Sequence, residues 1–242
     1  MPLPAVLHVN YQPGGGWVLR ILTRLHQSPS TILRDRVNDW GDGPLSQMGL
    51  AVATKFATLN RAGFRLTERF RQIMAELSDR RSEVEDCLHE NAVFTFHEHV
   101  LPFELLLDID SFIFEARSTY EIVGGFLREF FKRILDREIT QQELATVLES
   151  EGLDTLWIEE LRASRILFFH QTGAWFAVRV KSLEPLSIEP VILKRHVENL
   201  DDPQDYISHE ELVAMSRGFE SGLESLHRYV IAEIARFEET QR

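Results

Sequence analysis

Residues 45–77 read LSQMGLAVATKFATLNRAGFRLTERFRQIMAEL, and within them Val52, Phe56, Leu59, Gly63, Leu66, Phe70, Ile73 and Leu77 recur in alternating steps of four and three. That rhythm holds the apolar side chains on one face of a long α-helix, and a strand, with its period of two, cannot reproduce it. The opposite face carries Lys55, Arg61, Arg65, Arg69 and Arg71 with few acids among them. Such a face is either solvated or a local basic strip for an anionic partner.

The same rhythm returns twice. After Pro102, a residue welcome in a first helical turn, Leu105, Ile109, Phe112, Ala116, Tyr120, Val123, Leu127, Phe130 and Ile134 form a second seam. Leu212, Met215, Phe219, Leu223, Leu226, Val230, Ile234 and Phe237 form the last one, with acids expected outward, opened by Ser208 and Glu211 in a capping-box spacing. Thr140 and Glu143 have that spacing too and open a short helix that Gly152 closes, while Asp154 can cap the helix after it. Helical character is also expected over Ser82–Leu88.

Between the second and last seams the texture becomes strand-like. Residues 175–180 (WFAVRV) and 190–195 (PVILKR) are separated by a Pro-containing polar link and read as a hairpin, followed by an acidic loop over 198–205. At the other end, Ala5–Gln12 reads as a strand running into the turn Pro13-Gly14-Gly15-Gly16. Trp17–Leu25 fits a second strand or a short helix, and Gln27–Pro44 is a polar segment containing Pro and Gly. No Gly-Lys-Ser/Thr follows the glycines, so they read as a turn and not as a phosphate cradle. The fold class expected is mainly α: an antiparallel bundle of four to five helices with a small β hairpin or sheet. One domain spans residues 1–242, with its β elements in 1–26 and 175–195.

The 242 residues carry a net charge of −12, which opposes non-specific adhesion to nucleic acid or to an anionic membrane and excludes a broad basic face. Cys87 is the one cysteine, so no intrachain disulfide forms. Neither a basic segment followed by an apolar run nor an apolar stretch of membrane-spanning length is present, and the expected location is the cytoplasm, away from membranes. His89, His97 and His99 lie close in sequence. An extended chain there would put His97 and His99 on one side, the beginning of a metal site, but the His-Glu-x-x-His spacing is missing and no cysteine helps. The expectation is therefore no metal and no cofactor.

Residues 156–172, LWIEELRASRILFFHQT, place Arg165 and His170 in an otherwise apolar helical run. A guanidinium cannot shed its charge, so burial there demands a carboxylate, backbone carbonyls or an anionic ligand. An imidazole at a helix end can reach a cleft. Five residues rotate the two side chains about 140° apart on one helix, so a shared site needs the long arginine stem to swing round or a second copy across a two-fold axis. Upstream, Asp110, Arg117, Glu121 and Arg128 recur at seven, four and seven residues as a polar stripe. The stripe reads either as surface ion pairs or as the source of the acid that positions Arg165 or orients a histidine.

An arginine, four residues and a histidine near a helix end, preceded by a long amphipathic helix bearing acids, resembles the HEPN superfamily (higher eukaryotes and prokaryotes nucleotide-binding) over Pro102–Thr172. The resemblance implies a helical bundle, a homodimer and a metal-independent endoribonuclease of the toxin–antitoxin and defence kind, with RNA or a nucleotide as ligand and an antitoxin or other protein as partner. It carries over to Arg165 and His170 as catalytic residues, with Asp110, Glu115 and Glu121 as candidate supporting acids. Ile166 stands where active members of the superfamily carry a polar residue. That residue and the acidic balance favour the alternative, a non-catalytic HEPN-like module that binds a nucleotide or a protein.

Overall fold

A computed structural model describes residues 16–241 apart from 42, 91, 151–157, 159–174, 184, 185, 195–199 and 201. Among the described residues the chain is mainly helical with a small antiparallel sheet, as the seams predict. The order is α1 (Gly16–His26), α2 (Thr31–Asn38), α3 (Pro44–Asp79), α4 (Arg81–Glu90), α5 (Leu101–Ile134), α6 (Gln141–Ser150), β1 (Trp175–Leu183), β2 (Leu186–Leu193), β3 (Tyr206–Ser208) and α7 (His209–Thr240). No described helix is long and apolar enough to cross a membrane.

The three long helices start and bury as their sequences dictate. Pro44 and Pro102 sit in the first turns of α3 and α5. The Ser208 hydroxyl accepts from the Glu211 N–H at 3.1 Å while the Glu211 carboxylate accepts from the Ser208 N–H at 2.6 Å. Thr140 and Glu143 repeat the arrangement at the start of α6. All nine seam residues of α5 are buried, and with the seams of α3 and α7 they make one hydrophobic cluster reaching from Trp17 to Ile234. Phe126, Phe130 and Phe131 are fully enclosed at its centre.

Of the two readings open for 17–25 the helix holds, and part of 27–44 is helical too. Residues 16–26 form a helix and not a strand: Trp17, Val18, Ile21 and Leu25 are all buried, a spacing that gives one helical face. Residues 5–12 lie outside the described residues, and the third strand of the sheet is Tyr206–Ser208, leading straight into α7. Part of the expected 27–44 link is the helix α2, which Ser30 caps and which buries Leu33 and Val37 four residues apart.

In the sheet, order β1-β2-β3, Trp175 pairs with Leu193 through to Leu183 with Leu186. Pro190 stands in the middle strand, yet β3 pairs only with Val191–Leu193. At Pro190 the strand is therefore still an edge, where a missing N–H is tolerated. Val191, Ile192, Tyr206 and Ile207 are buried.

Helix α7 does not keep all its acids outward. Glu233 and Glu238 are buried, 7% and 9% exposed. A carboxylate taken out of water needs a cation. Arg24 of α1 supplies one to Glu238 through two parallel hydrogen bonds at 2.8 and 2.6 Å, and Arg137, between α5 and α6, supplies another to Glu233. Gly49 lets α1 approach α3 closely, since a Cβ there would come within 3.2 Å of Val18.

Phe130 is 0% exposed and packs on Trp40, Phe126 and Phe131. Phe130→Ala is expected to cost about 3–5 kcal/mol of unfolding free energy and Phe130→Leu clearly less, measured by chemical denaturation.

Candidate functional site

Arg165 and His170 lie outside the described residues. Of that stretch only Ile158 is described, helical and half-buried against the core. The three acids on α5 are placed, and they fare differently. Glu115 accepts from Lys55 Nζ at 2.9 Å and from the Thr58 hydroxyl at 2.8 Å, both on α3. Glu121 pairs with Arg117 one turn back at 2.8 Å, so the lower half of the polar stripe is an ordinary ion pair on a helix surface. Asp110 is half-buried, and its Oδ1 is enclosed with no hydrogen-bond donor among the described residues. Burial pushes its carboxyl above the usual carboxylate range.

The basic strip of α3 is largely neutralised by acids of the neighbouring helix. Asp108, 7% exposed, receives Arg69 at 3.3 Å and Arg65 at 3.4 Å. Arg69 also reaches Glu104 at 2.6 Å, and Arg71 pairs with Glu68 of its own helix at 2.7 Å. Arg61 lies over the Phe64 ring at 5.9 Å. Sequence reasoning passed over Asp108, although a signal exists: Glu104, Asp108, Ser111 and Glu115 step by four, three and four, a polar seam beside the apolar one.

The histidine trio does not converge. His89 is exposed at the end of α4, His99 is exposed in a turn, and His97 Nδ1 stands 3.7 Å from Glu76 Oε1. Among the described residues no three His, Cys, Asp or Glu side chains are grouped to hold a metal ion.

A cavity of about 410 Å³ opens between α3 and α7. Phe56, Phe112, Phe219 and Leu223 form its apolar part, and Asn60 and Glu220 are exposed along it. Through Thr67, Ser216 and Glu220 it continues into a second space of about 220 Å³. Through Phe70 and His209 it continues into a third of about 370 Å³, beside Lys181 and Glu189. Lys181 is held by Glu189 at 3.0 Å. Charges of both signs line this groove, so it suits an amphipathic ligand better than a bare phosphate chain.

At the α1 end of the groove, Trp17 donates its indole N–H to the Leu223 carbonyl at 2.9 Å and meets His227 edge-on at 5.8 Å. His227 is 8% exposed, with Nε2 enclosed and without a partner among the described residues. Burial and the Arg20 charge lower its pKa, and Glu224 offsets part of this. No sequence motif marked His227; its place in the apolar face of α7 is the signal, one residue after Leu226.

Compared with family models, with curated proteins and with solved structures, the chain matches none of them.

Two pH effects are expected. The folded state favours neutral His227, so its contribution to stability is present above about pH 6.5 and is lost as pH falls toward the lowered folded value. Thermal melts of the wild type should drop between pH 7.5 and 5.5, and His227→Leu should flatten that part of the slope. Asp110 has the opposite sign: its raised carboxyl means the ionised form costs stability above the normal carboxylate range. Asp110→Asn should therefore melt higher than wild type at pH 7.

Proposed function

We propose that this protein is a HEPN-like helical module that cleaves RNA without a metal ion, Arg165 and His170 carrying the chemistry and two copies completing the cleft. The observation that supports it is the state of Asp110. Of the three candidate acids on the long helix of the resembling region, Glu115 and Glu121 are already paired. Asp110 retains an enclosed oxygen with no donor among the described residues. A buried carboxylate in that condition is suited to receive a guanidinium when the working assembly forms, and Arg165 of the same or the second copy is the cation the sequence offers.

The chemistry requires a 2′-hydroxyl to attack the adjacent phosphorus, forming a 2′,3′-cyclic phosphate as the bond to the 5′-oxygen breaks. Neutral His170 takes the 2′ proton, and a protonated imidazole returns one to the leaving 5′-oxygen. Arg165 binds the non-bridging oxygens through paired N–H donors and stabilises the phosphorane charge.

A second reading, a non-catalytic nucleotide- or protein-binding module, is favoured by Ile166, by the net charge of −12 and by the mixed polarity of the α3–α7 groove. The two separate cleanly. Purified protein incubated with single-stranded RNA in chelator is expected to yield cyclic-phosphate ends, with His170→Ala and Arg165→Ala each at least about 100-fold slower. Cleavage unchanged by His170→Ala removes the catalytic assignment; binding without cleavage, lost in Arg165→Ala, selects the second reading.

A further inference from the structure

A separate cavity of about 240 Å³ lies where the C-terminal turn of α3, α4, the irregular segment 92–96 and β1 meet. Its described wall is apolar: Leu77, Val84, Leu88, Phe94, Phe96 and Phe176 supply most of it. Among the described lining residues the one side-chain heteroatom is the half-buried thiol of Cys87. We propose that this cavity binds a small uncharged hydrophobic molecule of about one fused aromatic ring system.

The wall excludes charge. A carboxylate, phosphate or ammonium seated in it would give up part of its hydration, with no ionised side chain among the described lining residues to replace water. The size also suits a ring: an apolar cavity of about 150 Å³ is enough for benzene. Phe94 meets Phe96 at 5.2 Å and 90°, and Phe96 meets Phe176 at 5.7 Å and 72°. These are edge-to-face contacts of the kind that an added aromatic ring extends.

The cavity is also held open by polar groups outside it. Irregular chain over an apolar void tends to collapse inward, because interiors pack densely. Here Arg80 fixes the segment from behind. It donates to the Thr95 carbonyl at 2.8 Å, lies 4.4 Å over the Phe94 ring, and is itself gripped by Glu76 and Glu83. Glu76 in turn accepts from the His97 N–H at 2.5 Å. The wall is pre-formed, which lowers the cost of binding. The inference is independent of Arg165 and His170.

Indole titrated into the full chain is the test, with benzoate as the charged comparison. Saturable indole binding is expected, with a Kd on the order of 0.1–1 mM for a ligand of this size, and none for benzoate. Cys87→Phe, which fills the space, should abolish binding, and Cys87→Ser, which leaves it open, should keep Kd within about tenfold. In the wild type, saturating indole should slow modification of Cys87 by a thiol reagent at least about threefold, a readout that stands if Cys87→Phe does not fold. Failure of indole to bind, equal binding of benzoate, or unchanged binding by folded Cys87→Phe would overturn the proposal. The mouth, where Leu88 is exposed, would then be left to an apolar side chain of a partner protein.

Discussion

Asp108 is the carboxylate that α3 and α5 share. It is nearly enclosed, and the guanidiniums of Arg65 and Arg69 reach it from the neighbouring helix. A buried acid tolerates few arrangements, since removing either its position or its cations leaves a charge unpaired in a poor solvent. Lys55 with Glu115 and Arg69 with Glu104 continue the same line. This polar line fixes which residue of one helix stands beside which residue of the other. Hydrophobic seams alone would permit a slip by a turn, because one leucine or phenylalanine fills another's place at small cost.

The periphery uses the same device. Glu238 and Glu233 draw Arg24 and Arg137 onto α7, tying α1 and the α5–α6 connection to the last helix. Arg36 closes the end of α5 by donating to the Ile134 carbonyl at 2.6 Å, and it holds Asp136, whose φ of 52° turns the chain away. Arg80 holds the segment between α4 and α5. Arginine suits these places because its planar fork offers several donors at once: Arg24 grips one carboxylate with two of them, and Arg36 and Arg80 each serve a carboxylate and a backbone carbonyl together.

A cation-rich face on one helix therefore says little about its ligand until its neighbour is known. The α3 strip looks short of acids because its partners Glu104, Asp108 and Glu115 lie on α5, further along the chain. Conversely, three histidines close in sequence part company once α4 ends and an irregular segment intervenes. Of the acids proposed to support Arg165, spacing could not rank Asp110 against Glu115 and Glu121. Glu115 meets Lys55 of the neighbouring helix, a contact that spacing along α5 does not show, while Glu121 meets Arg117 one turn back.

The sequence by itself determined the three long helices, their buried faces, the two capping boxes and the hairpin, because each follows from a period of 3.6 or 2 or from a hydrogen bond spanning three residues. It could not decide between helix and strand over 16–26, since a run that short acquires its period from what it packs against. Only the tertiary structure placed Tyr206–Ser208 beside β2, enclosed His227 Nε2 and Asp110 Oδ1 without partners among the described residues, and opened the α3–α7 groove and the Cys87 cavity. Cavities and unpaired polar atoms exist between elements and not within them, so local periodicity carries no trace of them.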